Sequence, residues 1–232
     1  MQIAIRHYFS LNHLAAASVL ARQSAEIESS ASAELWPECN HVNQACAVGA
    51  LINSVSFLEA TINEVFADCA EKTSAHGQLP PNSALLGEMW NLGVPRTASY
   101  SVLEKYQMAL TLSGKEQLPD GVDPLQSVDA LIFARNYLIH FEPEFVLSVG
   151  AGEKDKPQRI LSRLRGRFAL NALAPVGSLF FPDRALGAGS AQWSVRTALS
   201  LTDRFFELIG VPATYSHLMA QPPYSYFGNP SK

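Results

Sequence analysis

The residues best equipped for chemistry lie in one short stretch, Leu131-Ile132-Phe133-Ala134-Arg135-Asn136-Tyr137-Leu138-Ile139-His140-Phe141. A guanidinium keeps its proton at any ordinary pH and grips a phosphate or carboxylate through two parallel hydrogen bonds. An imidazole titrates near neutrality and can give or take a proton. A carboxamide can orient that imidazole or bind a phosphate oxygen. Arg135, Asn136 and His140 together can therefore bind an anion such as a phosphate and move a proton, with no metal and no cofactor required.

A helix has to position these groups. Asp123 can cap it, Pro124 suits its first position, and Pro143 ends it, so it is predicted to run to about Phe141. At roughly 100° per residue, Leu125, Val128, Leu131, Ile132, Leu138 and Ile139 form one apolar arc. Arg135 falls within that arc, and Asn136 and His140, four apart, sit on its flank. A buried guanidinium needs a carboxylate, a phosphate or a groove open to water. The preceding long helix holds a matching anomaly: Glu59 projects within the arc of Val48, Ile52, Val55 and Ile62. Glu59 is therefore expected to pair with Arg135 across a helix–helix contact. The cluster can serve as a structural tie between helices or as a site that holds an anion.

Arg135-Asn136 through His140 resembles the signature of HEPN domains (higher eukaryotes and prokaryotes nucleotide-binding). That signature is an Arg, often followed by Asn, Asp or His, then four to six residues and a His. Phe57-Leu-Glu59-Ala-Thr-Ile-Asn63-Glu64 is similar to the long helix before it in bacterial members. Ser101-Val-Leu-Glu-Lys-Tyr-Gln, His140-Phe-Glu-Pro-Glu144, and Gln192-Trp193 through Phe206 resemble the same bacterial group. The resemblance covers about residues 40–210. It implies an antiparallel helical bundle and, in many members, a metal-independent endoribonuclease with Arg135, Asn136 and His140 as its catalytic residues. It also implies a homodimer whose two motifs line one cleft, an RNA substrate, and a separately encoded antitoxin as partner in a bacterial toxin–antitoxin or defence system. Other members are non-catalytic, which leaves a helical dimer acting as a nucleotide-, RNA- or protein-binding module as the alternative.

Other candidates carry less. Arg6 and His13 have similar spacing, but no Asn follows Arg6 and no helix precedes it. Arg159, Arg163, Arg165 and Arg167 form a basic run that can steer RNA phosphates toward His140, or serve as a solvated face offset by Glu153 and Asp155. Gly150 and Gly152 before Lys154 lack the rest of a phosphate loop. His7, His13, His41, His76 and His217 have no metal-ligand spacing. No nucleophile-elbow motif places a serine, and Trp193, Phe205 and Phe206 read as core.

The rest of the chain is read as all-α. Helices are expected from about Tyr8 to Ser30, Asn40 to Lys72, Ala84 to Leu92, Ser99 to Ser113, Asp123 to Phe141, Arg159 to Leu170 and Ala191 to Ile209. Trp36-Pro37 reads as a break, Phe145 to Val149 as the best short strand, and Asn171 to Gly189 as an irregular, partly buried strap. Residues 1–220 read as one domain and 221–232 as a flexible tail or a contact arm. Hydrophobic residues are 47% of the 232, charged residues 16%, and the formal net charge is −4, so any RNA site must be a local basic patch. Low charge also fits an oligomer. Cys39, Cys46 and Cys69, an odd set without a CxxC pair, argue against a disulfide or zinc scaffold and for a reducing, cytoplasmic setting. Leu14 to Ala21 only weakly echoes a signal peptide. No uninterrupted apolar run reaches the ~18 residues of a membrane span.

Overall fold

The computed structural model describes residues 6–30, 36–74, 76–96, 100–143, 159–175 and 177–227. Among these residues all regular secondary structure is helical, with no strand, and turns and irregular segments join the helices. The helices are α1 (Phe9–Ser30), α2 (Trp36–Glu71), α3 (Ser83–Asn91), α4 (Val102–Leu112), α5 (Leu125–Ile139), α6 (Arg159–Leu164) and α7 (Ala188–Ile209). The strand candidate Phe145 to Val149 and the glycines around Lys154 lie outside the described residues.

Local chemistry explains most boundaries. Pro37, expected to break a helix, instead sits in the first turn of α2, where a missing N–H costs nothing. Ser101 caps α4 in a reciprocal box with Glu104. Asp123 accepts hydrogen bonds from the N–H and hydroxyl of Ser127, 3.2 and 2.6 Å away, at the start of α5. Gly210, in the left-handed region at φ 72°, ends α7. α6 stops earlier than its pattern suggested, at Leu164, two residues before Gly166 at φ +79°.

α2 is the axis on which α1, α3, α4, α5 and α7 pack. Ala17, Ala21, Ala47 and Ala50 are fully buried, and a Cβ on Gly49 would lie 2.6 Å from Leu20, so small residues let α1 and α2 approach closely. Ser10 meets Glu64, and His13 lies 3.1 Å from Asn53, which sets α1 antiparallel to α2. Gln44 meets Asp183 and Ser54 meets Ser194, so α7 runs parallel to α2. By length and composition Cys39–Glu71 is apolar enough to cross a membrane, with a mean hydropathy of 1.5 over its best window. Asn53, Glu59 and Asn63 punctuate it, so no uninterrupted apolar run announces it in the sequence. Here 56% of that window is buried inside the fold, as a shared core helix requires.

The strap from residue 171 onward is irregular, as expected, and is held by a buried polar knot. The Asn171 amide donates to Asn40 Oδ1 at 2.8 Å and to the carbonyls of Asp183 and Leu186, while its oxygen accepts from Asn43 at 3.1 Å. Glu28, at the end of α1, accepts from the Ala188 N–H at 2.6 Å and thereby caps α7. Side chains at Gly187 or Gly189 would collide with Asn171 and the Ala169 carbonyl. Residues 221–227 make contacts with the bundle: Tyr224 donates to the Leu11 carbonyl at 3.2 Å, and Gln192 to the Tyr226 hydroxyl at 2.9 Å.

Asn171→Ala should cost roughly 2–4 kcal/mol in urea unfolding, because it strands several buried partners at once. Asn136→Ala, the same exchange at an exposed helix position, should stay within about 0.5 kcal/mol. Similar losses at both positions would contradict the strap's dependence on Asn171.

Candidate functional site

α5 is fixed at both ends before it presents Arg135, Asn136 and His140. Its first half holds α6: Arg163 pairs with Asp129 at 2.9 Å and lies over the Phe133 ring at 5.2 Å. Arg167 donates to the Arg163 carbonyl at 2.7 Å and to Ser127 at 3.4 Å. Its second half is held by aromatic contacts, Tyr137 edge-on to Phe181 at 5.2 Å and to Phe141 at 5.8 Å. Phe181 is buried and belongs to the strap leading into α7, so the C-terminal end of α5 lies near the start of α7. The His140 N–H closes the helix on the Asn136 carbonyl at 2.9 Å.

The three side chains emerge differently. Asn136 and His140 are exposed, one turn apart on one face. Arg135 is half-buried between the turn of Leu131, which is fully buried, and that of Ile139, which is 50% exposed. The predicted apolar arc thus leaves the core at its last turn. The Nε of Arg135 is buried and has no hydrogen-bond partner. Among the described residues no ion pair or side-chain hydrogen bond engages Arg135, Asn136 or His140.

The expected Glu59–Arg135 pair does not form. Glu59 accepts instead from Lys105 at 3.2 Å, and Lys105 also donates to Asn63 at 3.3 Å. The Lys105 side chain is 4% exposed and Glu59 is 45% exposed. The reason is burial: the more deeply buried cation has the greater need of a carboxylate. Lys105 stands in the apolar stripe Val102, Tyr106 and Ala109 of α4. A cation at that spacing was a sequence signal of the same kind as Arg135.

The basic run is only partly available. Arg163 is neutralised by Asp129, about two helical turns before Asn136, and Arg167 is turned onto α6 and Ser127. Arg165 is exposed. Arg159 opens α6, and its side chain lies outside the described residues. Cys69 is buried, and burial pushes its thiol up to about 12, which leaves it inert.

A second polar cluster, not anticipated from the sequence, lies at the other end of α2. Arg6 pairs with Asp68 at 2.6 Å and with Glu71, and Tyr8 donates to Asp68 at 3.3 Å. Glu64 accepts from the Ser10 N–H and hydroxyl at 2.9 and 2.5 Å. Glu64 and Asp68 are four apart on one helical face, the spacing that could have drawn attention to them. Burial pushes Asp68 up to about 6 despite the opposing pull of Arg6.

That shift has a defined sign. The folded state holds the Asp68 proton more tightly than a free carboxyl of pKa 3.8 does, so this contribution favours folding in acid and is lost as pH rises through about 6. Between about pH 4 and pH 7.5 the unfolding free energy of Asp68→Asn should gain on that of wild type, read from paired urea titrations. A constant difference across that range would show that Asp68 titrates as in the unfolded chain. Compared with known proteins, the chain matches no family model, no curated sequence and no solved structure.

Proposed function

We propose that the C-terminal end of α5 binds RNA phosphate and cleaves the strand as a HEPN-like, metal-independent endoribonuclease. The observation that carries this reading is the Arg135 guanidinium. Its Nε is buried without a partner, and the carboxylate expected to neutralise it belongs to Lys105. A half-buried cation that no carboxylate among the described residues engages is an anion site in waiting. The end of a helix whose carbonyls point outward offers no main-chain N–H groups to a phosphate, so binding here rests on the guanidinium.

In this reading Arg135 holds the phosphoryl oxygens and Asn136 orients the imidazole or a phosphate oxygen. His140 moves the proton from the 2′-hydroxyl. The 2′ oxygen–phosphorus bond forms and the phosphorus–5′ oxygen bond breaks. A 2′,3′-cyclic phosphate and a 5′-hydroxyl result, the latter receiving the proton. Exposure of Asn136 and His140 supports access by a strand. Arg165, Arg167 and Arg159 are candidates for flanking phosphates. A homodimer would bring two such ends to one cleft, and an antitoxin would cover it in a cytoplasmic toxin–antitoxin or defence system.

A second reading has its own observation. Ile139 and Phe141 flank His140 and are 50% and 48% exposed. Apolar side chains at that exposure favour a protein contact, as in a non-catalytic helical dimer.

Purified protein in excess chelator should cleave single-stranded RNA to cyclic phosphate ends. His140→Ala should lower the rate about 10²–10⁴-fold and Arg135→Ala about 10²–10³-fold. Absence of cleavage by folded wild type, together with a dimer lost on Ile139→Asp, would favour the interaction module. Equal cleavage by both variants would remove the assignment.

A further inference from the structure

Phe133, Tyr137, Phe141 and Phe181 form a chain of ring contacts along α5 that ends beside His140. Phe133 and Tyr137 stack with centroids 6.3 Å apart. Tyr137 meets Phe141 edge-on at 5.8 Å. Phe181, from the strap, braces both, at 5.2 Å from Tyr137 and 6.1 Å from Phe141. The spacing is helical, since Phe133, Tyr137 and Phe141 recur every four residues and share one face. One end of the chain is covered: Arg163 lies over the Phe133 ring, and Phe181 is buried. At the other end Phe141 is 48% exposed. A ring already braced by two others loses little freedom when a further ring settles on it.

The position of that exposed ring gives it a meaning. Phe141 follows His140 directly, and consecutive Cα atoms stand about 3.8 Å apart. The rows Asn136–His140 and Tyr137–Phe141 run side by side, offset by one residue. An imidazole, an amide and an aromatic ring thus share one helix end, with the orphaned Arg135 Nε just over a turn back. A protein partner seated on Phe141 would further cover the neighbouring guanidinium, and would have to bring a carboxylate to offset its burial. A nucleotide supplies the anion and a flat ring in one molecule.

We propose that Phe141 is a stacking platform for an unpaired base of the strand whose phosphate Arg135 holds, which makes single-stranded RNA the substrate class of this site. The inference rests on the RNA reading of the α5 end. In a duplex the bases are paired and stacked on one another, whereas an unpaired base can splay out onto an aromatic side chain. Every base has such a face, so stacking selects strandedness rather than sequence. Phe141 is a positioning residue: it holds the strand and leaves the proton transfer to His140.

The test uses a trinucleotide, 2′-O-methylated so that it cannot be cut, with abasic outer positions and 2-aminopurine, a base whose emission falls on stacking, at its centre. Full-length wild type in excess chelator should bind the probe and quench it. Phe141→Leu, which keeps an apolar side chain and removes the flat ring, should bind about 10- to 100-fold more weakly and lose the quench. Phe141→Trp should retain both. Wild type should show the same loss of affinity for the fully abasic probe, a comparison that needs no variant. Single-stranded RNA should displace the probe, and a blunt duplex at equal phosphate concentration should not. Unchanged binding and quench in Phe141→Leu, or equal affinity of wild type for the abasic probe, would overturn the platform and leave phosphate binding at Arg135 in place. Quench without cleavage of ordinary RNA would remove the nuclease step and keep the platform. No binding by wild type would overturn both, and a dimer that Phe141→Leu dissociates would then assign the ring to a protein contact.

Discussion

The ion pair between Lys105 and Glu59 decides what the candidate site can be. Lys105 points into the apolar face where α4 meets α2, with almost no access to water. An ammonium there must be matched, and Glu59 and Asn63, one turn apart on α2, match it. That single allocation removes the carboxylate that would have turned Arg135 into a helix–helix tie. Arg135 keeps an orphaned Nε beside two exposed groups capable of proton transfer and phosphate contact. The chemistry open to the end of α5 thus depends on a charge pairing made on a different helix.

Two devices hold that end in place. The asparagine knot pins the strap to α1 and α2, and Glu28 caps α7 across the same junction. From the strap, Phe181 reaches Tyr137 and so fixes the last turn of α5. The site is therefore coupled to the start of α7 through aromatic packing, although no side chain of the motif touches the knot. At the opposite end of α2 the segment before α1 is clamped by Arg6 and Tyr8 onto Asp68. The long central helix keeps the Arg135 end of α5 and the carboxylate cluster around Asp68 apart.

Helix periodicity and punctuation made the element order legible, because apolar spacing and boundary residues such as Asp123 and Pro143 act locally. Boundaries slipped where one residue has two uses: Pro37 can break a helix or open one, and Gly166 ended α6 before its apolar pattern ran out. The motif residues were legible as residue types out of place on an apolar arc. Their partners were not. A sequence shows that Arg135, Lys105 and Glu59 each need compensation, but the pairing is set by relative burial, which only packing decides. The Arg6–Asp68 cluster was hidden for a related reason, since the segment before α1 carries no periodicity to announce that it docks.

The most direct measurement is the stability of wild type and Arg135→Gln as a function of inorganic phosphate, read by urea unfolding at fixed ionic strength. If Arg135 is a spare cation, the two proteins unfold alike in chloride. Wild type alone then gains stability with phosphate, by up to about 1.4 kcal/mol per tenfold concentration once binding saturates. If Arg135 is instead a structural tie, Arg135→Gln loses several kcal/mol in chloride and phosphate stabilises neither protein, and the account of this site is contradicted.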